Sequence, residues 1–251
     1  DNRFHNVDNC QNIVKPLNII KSFTKKIQNN KTRPSHPIQS DKIDFEAMTN
    51  GDFAWLGHSF IVLKQNGQII LVDPIFFDIQ HLIKKFKYTT ENDPAAFPII
   101  DVCLITHDHY DHLDIQTLKL LTIRNIVCPL KLSKYLTFLT CQIHELDWFQ
   151  TVVIDRNKFS LIPSRHYSNR TGQKFKTLWG GFIVNNLLIS GDGSYNQDII
   201  EQIKQFLIEN QIQLEVVFVE CGQYSDEWPD NHMQPDQSKL YFQQLRGQIM
   251  V

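Results

Sequence analysis

The 251-residue sequence lacks the features that mark several specialised classes of protein. No apolar run approaches the roughly 18 residues that a membrane-spanning helix needs. Neither a Gly-x-Ser-x-Gly nucleophile motif nor a phosphate-binding Gly-x-x-x-x-Gly-Lys loop is present. The formal net charge is only -2 and there is no basic stripe, which argues against a nucleic-acid ligand. The composition, 42% hydrophobic and 21% charged, is that of an ordinary globular protein.

Cys-x-x-Cys pairs are absent as well, because the five cysteines are scattered along the chain. An odd, unclustered set of cysteines predicts reduced and mostly buried thiols. The sequence begins at Asp1 rather than Met, so we expect the native N-terminus to lie upstream, and a signal or anchor there stays open. On these grounds we expect a cytoplasmic or membrane-associated protein.

The first 40 residues differ in composition from the rest of the chain. They are polar and rich in Lys and Asn, and no strand pattern appears before about Phe53. We therefore predict an N-terminal basic, amphipathic extension over residues 1–40 and one folded domain over residues 41–251. Within the extension, apolar residues from Ile13 to Ile27 recur at helical spacing with lysines between them. Such a helix either packs on the domain or contacts an anionic membrane surface.

Short strand patterns alternate with helical segments from about Phe53 to the end of the sequence. The runs FAWLGHSFIVLK and GQIILVDPIF meet at the turn signal Gln65-Asn66-Gly67, which predicts a β-hairpin. Further strands and helices follow in two similar successions, and a helix is predicted from about Asp114 to Leu121. This order predicts an α/β fold, an αββα sandwich in which two mixed β-sheets face each other and helices flank them.

The segment THDHYDHLD at 106–114 concentrates metal-binding side chains directly after the apolar run DVCLI. Because alternate side chains of a strand share a face, His107 and His109 can point toward one ion. Asp111 and His112, on the following turn, can hold a second ion. Imidazole and carboxylate donors without a thiolate suit Zn²⁺, with Mn²⁺ or Fe²⁺ as alternatives. The competing interpretation is a solvated loop in which Asp114 only caps the next helix.

Two ions need more ligands, and later residues at strand ends can provide them. His166 follows the strand FSLIPS, and Asp192 follows LLIS within a Gly-Asp-Gly turn. Each residue alone is more typical of a loop or turn, but together with the motif at 106–114 both are predicted ligands. Asp73 and His58 also lie at strand ends, where each either supports a ligand or stabilises the local structure.

These motifs, in this order, resemble the metallo-β-lactamase superfamily from about Phe53 onward. More narrowly, WLGHSFIVL, ILVDPIF, LITHDHYDHLD, SGDGSY and HMQPDQS are similar to the branch that contains N-acylphosphatidylethanolamine-hydrolysing phospholipase D. The resemblance implies a dinuclear metal site between the sheets. It implies that one zinc ion is held by His107, His109 and His166. It implies that the other is held by Asp111 and His112, and that Asp192 bridges the two ions.

The resemblance also bears on two further positions. It places a last histidine ligand beyond Val251, and it assigns His232 to contact with the substrate phosphate or to proton transfer; the alternative for His232 is a plain surface-loop residue. Asp111 is a second catalytic candidate, as a proton relay. The sequence departs from the branch at Gly193-Ser194 and at Glu220-Cys221-Gly222, and we expect neither departure to touch a ligand.

The leading hypothesis is a zinc-dependent phosphodiesterase of phospholipase D type, in which a hydroxide shared by two Zn²⁺ ions attacks an N-acylphosphatidylethanolamine-like lipid. The first alternative is a lactonase related to the ascorbate-phosphate lactonases, whose WLG, ILVDP and DHLD motifs are similar. A nucleic-acid-processing metallohydrolase is disfavoured by the net charge of -2. We expect a small-molecule or lipid phosphodiester as partner, no nucleic acid, and at most peripheral contact with a membrane.

Overall fold

The computed structural model of the protein describes residues 2–8, 34–78, 84–221 and 230–251. Two six-stranded sheets dominate these residues, together with a two-stranded ribbon and three α-helices. The amphipathic helix predicted around residues 13–27 lies outside the described ranges, so its packing stays a prediction. None of the helices in the described ranges is long and apolar enough to cross a membrane.

The first sheet combines the predicted hairpin with three further strands. Its strands, in spatial order, are β1 (Phe53–Trp55), β2 (Ile61–Gln65), β3 (Gln68–Val72), β4 (Ile100–Leu104), β5 (Ile123–Pro129) and β6 (Gln142–Leu146). Asn66 and Gly67 have positive φ values of 49° and 82°, as the tight turn between β2 and β3 requires. The pairs from β1 to β3 are antiparallel and those from β3 to β6 are parallel, so the sheet is mixed.

The second sheet faces the first and is also mixed. Its strands, in spatial order, are β14 (Ile249–Met250), β13 (Val216–Phe218), β12 (Leu187–Ile189), β11 (Gly181–Val184), β8 (Asn157–Ile162) and β7 (Thr151–Ile154). The pairs from β12 to β14 are parallel, whereas those among β7, β8, β11 and β12 are antiparallel. The ribbon of β9 (Asn169–Arg170) and β10 (Gln173–Lys174) lies between β8 and β11 in the chain.

The main core lies between the two sheets. Inward-facing residues such as Leu63 and Val102 from the first sheet meet Phe159 and Phe182 from the second, and all four are fully buried. Burial of one such side chain contributes about 1.5–3 kcal/mol to the free energy of unfolding. Burial of these inward-facing side chains therefore holds the two sheets face to face.

Three helices cover the outer faces of the sandwich. They are α1 (Ile115–Leu120), α2 (Gln197–Glu209) and α3 (Pro235–Leu245). α1 packs against the first sheet through Leu118, whereas Ile203 of α2 and Tyr241 of α3 pack against the second. The carboxylate of Asp114 accepts the Gln116 N–H at 3.0 Å and so begins α1 where the sequence predicts it. The predicted αββα sandwich is confirmed.

Candidate metal centre

Four chain segments that follow β4, β8, β12 and β13 meet at one edge of the sandwich. They carry the motif at 106–112, His166, Asp192 and Glu220. The turn before Asp192 needs a glycine, because Gly191 has a φ of +61° and a Cβ there would lie 2.7 Å from the Gly180 carbonyl oxygen. This close approach of two backbones brings Asp192 to the other candidate ligands.

His107, His109 and His166 form the first group of potential ligands. Their ring centroids are 4.5 Å apart for 107 and 109, 4.8 Å for 107 and 166, and 4.9 Å for 109 and 166. One nitrogen from each ring lies within 4.8 Å of the other two, a spacing at which the three could hold one metal ion. Because β4 ends at Leu104, the two histidines of the motif lie in the loop after the strand and not on the strand itself.

Asp192 lies between this group and His112. Its Oδ2 atom is 3.2 Å from Nε2 of His112, 4.0 Å from Nε2 of His107 and 3.9 Å from Nε2 of His166. Asp111 adjoins His112 in a second group with metal-binding spacing. The structure thus brings all six predicted ligands together and places Asp192 where a bridging ligand would lie, while their binding of metal stays a prediction.

Three of the histidines are held by their Nδ1 atoms, which leaves Nε2 for a metal. Each Nδ1–H donates to an oxygen: the Asp73 carboxylate for His112 at 2.7 Å, the Thr106 hydroxyl for His107 at 2.9 Å and the Asn231 carbonyl for His166 at 3.1 Å. Nε2 of His107 is buried and has no hydrogen-bond partner among the described residues, and the polar neighbour of Nε2 of His112 is the Asp192 carboxylate at 3.2 Å. Buried polar atoms without a partner are rare, and a cation bound beside His107 would account for this one. The donor set therefore fits the metal that the motif predicts.

The ionisation of most of these side chains also suits a cation; the exception is His112, whose pKa burial would lower but the Asp192 and Asp73 carboxylates raise above the usual range of histidine. Burial lowers the pKa of His107, His109 and His166 below the usual range of histidine, to about 4 for His109. These imidazoles are therefore neutral at physiological pH, which is the form that binds metal. Burial alone would raise the pKa of Asp192, but the neighbouring His112 outweighs it and holds this pKa well below its usual range. Neutral imidazoles and an ionised carboxylate are typical zinc ligands.

A second layer of hydrogen bonds fixes the loop that carries the motif. Asp108, fully buried, accepts the Asn169 N–H at 2.8 Å and the Thr177 hydroxyl at 3.0 Å. Arg170 donates to the carbonyls of Asp108 and Leu113 at 3.1 and 3.0 Å, so one guanidinium joins both sides of the loop. The ligands between them are therefore held in position before any metal binds.

Residues 2–8 also contribute to the site. Asn6 is 3% exposed and forms a reciprocal pair with the backbone of His166, donating Nδ2–H to its carbonyl at 2.9 Å and accepting its N–H at 3.2 Å. Asp8 forms an ion pair of 2.8 Å with the neighbouring Arg165. Part of the predicted extension over residues 1–40 thus supports a predicted ligand, through a contact between residues 160 positions apart.

The loop before β2 forms one wall of the site. His58, which has a φ of 50°, places Nε2 at 3.2 Å from Oδ2 of Asp111 and is half exposed. Its carbonyl accepts the Trp55 indole N–H at 2.6 Å, and the Trp55 side chain is 58% exposed. The structure therefore places His58 beside a predicted ligand and an aromatic surface next to it.

Glu220 is a site residue that the sequence interpretation missed. We expected the segment Glu220-Cys221-Gly222 to lie clear of the ligands, but a Glu220 carboxylate oxygen, an Asp192 oxygen and a His232 nitrogen all lie within 4.8 Å of one another. His232 is 15% exposed, and its Nδ1 is 3.9 Å from Oδ2 of Asp192, so it is not a surface-loop histidine. The signal that could have identified Glu220 is its position directly after the buried run VVFV, the same kind of strand end that identified Asp192.

Comparison with known proteins gives a family and several relatives. A family described as "Beta-lactamase superfamily domain" matches residues 68–251. A protein of Mycobacterium tuberculosis is 28% identical over 199 residues, which are 74% of this chain and 52% of the relative. The Saccharomyces cerevisiae protein named "N-acyl-phosphatidylethanolamine-hydrolyzing phospholipase D, mitochondrial" is 29% identical over 198 residues, 72% of this chain and 41% of the relative.

The protein named "N-acyl-phosphatidylethanolamine-hydrolyzing phospholipase D 1" from Caenorhabditis elegans is 23% identical over 238 residues, 82% of this chain and 64% of the relative. The chain spans about half the length of the curated relatives it matches, from 41% to 64% in these cases.

Solved structures support the fold. A metallo hydrolase from Ignicoccus hospitalis superposes with a TM-score of 0.54 at 19% identity, covering 79% of both chains. CmlA, a diiron β-hydroxylase from Streptomyces venezuelae, superposes with a TM-score of 0.56 at 16% identity, covering 78% of this chain and 43% of that one. With the match over residues 68–251 and the αββα sandwich, these findings show that the chain belongs to the metallo-β-lactamase superfamily of metal-dependent hydrolases.

Proposed function

We propose that this protein is a zinc-dependent phosphodiesterase of phospholipase D type that acts on an N-acylphosphatidylethanolamine-like lipid. The observation that carries the proposal is the convergence of two groups of metal-binding side chains on Asp192. The printed names of the yeast and worm relatives supply the substrate class.

The metal would be held by residues that are already arranged for it. His107, His109 and His166 would hold one ion, and Asp111 and His112 would hold the other. Asp192 would lie between the two ions as a shared ligand, and His58 lies beside Asp111 and His112. When bound, two divalent cations supply a deprotonated water at neutral pH and stabilise negative charge on the attacked group. Zinc suits the donor set best, and iron is the main competitor because the Streptomyces venezuelae protein of the same fold is described as a diiron enzyme.

The residues around the centre have distinct tasks in this proposal. His232 lies on one side of Asp192 and contacts the substrate phosphate. Asp111 lies on the other side and relays a proton, since its neighbour His58 is half exposed and 3.2 Å away, which gives the proton a path to solvent. Neither task requires a side-chain nucleophile.

The entrance to the site suits an amphipathic substrate. Trp55 presents an exposed aromatic ring that its indole hydrogen bond holds beside His58, and an acyl chain would bury that ring. Lys174 stands over the Tyr167 ring at 5.7 Å, and Tyr167 in turn contacts the His109 ring at 4.8 Å, so a cation lies within reach of an anionic headgroup. Peripheral contact with a membrane surface is part of the proposal for the same reason.

A substrate panel tests the proposal. The full-length protein, loaded with zinc, is assayed against bis(p-nitrophenyl) phosphate, an N-acylphosphatidylethanolamine in mixed micelles and a lactone, with Asp192→Ala as the inactive control. We expect zinc-dependent cleavage of both phosphodiesters. Hydrolysis of the lactone alone would replace this proposal with a lactonase. Activity that appears only with iron would overturn the choice of metal but not the choice of reaction.

A further inference from the structure

Glu220 is a buried carboxylate with two engaged oxygens at the edge of the metal centre. It lies two residues after β13, and its side chain is 9% exposed. Oε1 makes a short contact with Nδ1 of His232, and Oε2 accepts the Gly193 N–H at 3.0 Å. The backbone of Glu220 is fixed as well, because its N–H donates to the Ser190 hydroxyl at 2.9 Å and its carbonyl accepts the Ser238 hydroxyl at 2.7 Å.

We propose that Glu220 is a positioning residue that forms a dyad with His232. One proton between Glu220 Oε1 and His232 Nδ1 fixes the orientation of the ring and leaves Nε2 available to a substrate oxygen. The other carboxylate oxygen holds the turn that carries Asp192 through the Gly193 N–H. The dyad rests on the proposed function only for the role of Nε2; the hydrogen bond itself does not depend on the reaction.

The energetics of burial explain why such a carboxylate needs both contacts. A buried carboxylate is costly unless it is paired and hydrogen-bonded. Here one oxygen faces an imidazole and the other a backbone N–H, so both receive a hydrogen bond. The same contacts join the loop of His232 to the turn of Asp192. Replacing the Glu220 carboxylate by an amide, a weaker acceptor, would therefore loosen the His232 ring while the protein and its metal ligands stay in place.

A different role for Glu220, as a third ligand together with Asp192 and His232, is compatible with their spacing. The hydrogen bonds argue against it. Nε2 of His107 has no partner among the described residues, whereas both oxygens of Glu220 already accept hydrogen bonds. A metal at Glu220 would have to share an oxygen with the His232 ring or with the Gly193 N–H. The dyad needs no such rearrangement.

A double-mutant cycle separates positioning from general support. Glu220→Gln keeps the shape of the side chain and removes its charge, and we expect it to lower kcat on bis(p-nitrophenyl) phosphate about 10- to 100-fold, the range for partners that orient a site residue. In the His232→Ala background the same change should alter kcat less than twofold, because Glu220 acts through that ring. Glu215→Gln, at an exposed position one residue before the same strand, is the matched control and should leave kcat unchanged. Equal losses in both backgrounds would overturn the dyad.

Two further measurements do not require turnover. Zinc content of Glu220→Gln should equal that of the wild type, and loss of zinc would identify Glu220 as a ligand instead. In the zinc-loaded protein labelled with ¹⁵N-histidine, the Nδ1–H proton of His232, identified by its absence from His232→Ala, should resonate far downfield and move upfield in Glu220→Gln, whose amide oxygen is a weaker acceptor. Absence of that signal from the wild type would refute the dyad. Its presence in a protein that cleaves no phosphodiester would refute the proposed function and leave the dyad standing.

Discussion

Replacement of Asn6 by alanine should destabilise the protein, although Asn6 lies 100 positions before the metal motif at 106–114. Its amide makes two hydrogen bonds to the backbone of His166, at 2.9 and 3.2 Å, in a buried environment. Each hydrogen bond contributes about 0.5–1.5 kcal/mol, and a buried partner left unpaired costs about 1–3 kcal/mol. Partial entry of water would reduce the second cost. We therefore expect a loss of about 2–3 kcal/mol in the free energy of unfolding.

For a chain of 150–250 residues, 1 kcal/mol lowers the melting temperature by about 2–4 °C. Asn6→Ala should therefore melt about 4–12 °C below the wild type in a calorimetric scan at one fixed zinc concentration. Asn2→Ala is the matched control, because Asn2 lies on the same segment but is exposed and contacts only lysine side chains in the contacts described, Lys131 at 2.7 Å and Lys176 at 3.2 Å. A melting temperature within 1 °C of the wild type for both variants would show that this segment does not support the site.

Three other outcomes follow from the geometry of the centre. Saturation with zinc at about 100 times its dissociation constant should stabilise the chelated protein by about 2.7 kcal/mol, a rise of about 5–10 °C in melting temperature; an unchanged melting curve would argue against a bound metal. Asp192→Ala should lose both metal and turnover, whereas His232→Ala should lower turnover and keep its metal, and elemental analysis that finds zinc missing from the His232 variant would reverse the assignment. The metal-free protein should lose stability as the pH falls from about 6.5 toward 4, because His109, with a pKa lowered to about 4, and likewise His107 and His166 bind fewer protons when folded than when unfolded. Glu220, whose pKa burial raises to about 7, opposes this trend because it binds more protons when folded than when unfolded, but it is one group against three. A denaturation series that shows no loss of stability over this range would contradict the lowered pKa values of the three histidines.

The sequence was sufficient where one local rule governs a residue. Alternation of apolar residues located the strands, and the positions of His166 and Asp192 directly after strands placed them beside the motif at 106–112. Both rules depend only on neighbours in the chain. The sandwich and the meeting of the six predicted ligands could therefore be anticipated.

The remaining parts of the site depend on contacts between distant segments. Asn6 and His166 are 160 positions apart, and the carboxylate of Glu220 reaches both the Gly193 turn and His232. Such pairs form where loops pack together at the end of the sandwich. Polar loop residues have no periodicity in the sequence that would reveal this packing. Glu220 was expected to lie away from the ligands because the sequence there differs from the branch that it resembles. Its position directly after a strand is nevertheless the same signal that identified Asp192.

The start of the family match at Gln68 has a practical consequence for anyone who shortens this chain. Gln68 is the first residue of β3, so β1 and β2 both lie before it. A fragment that begins there keeps every predicted metal ligand but loses the partner strand of β3, all five residues of which are buried in the intact protein. The result would be a long apolar edge with unpaired backbone groups, which is prone to pair with another molecule. The family match therefore covers less of the chain than the first sheet needs to keep β3 paired on both sides.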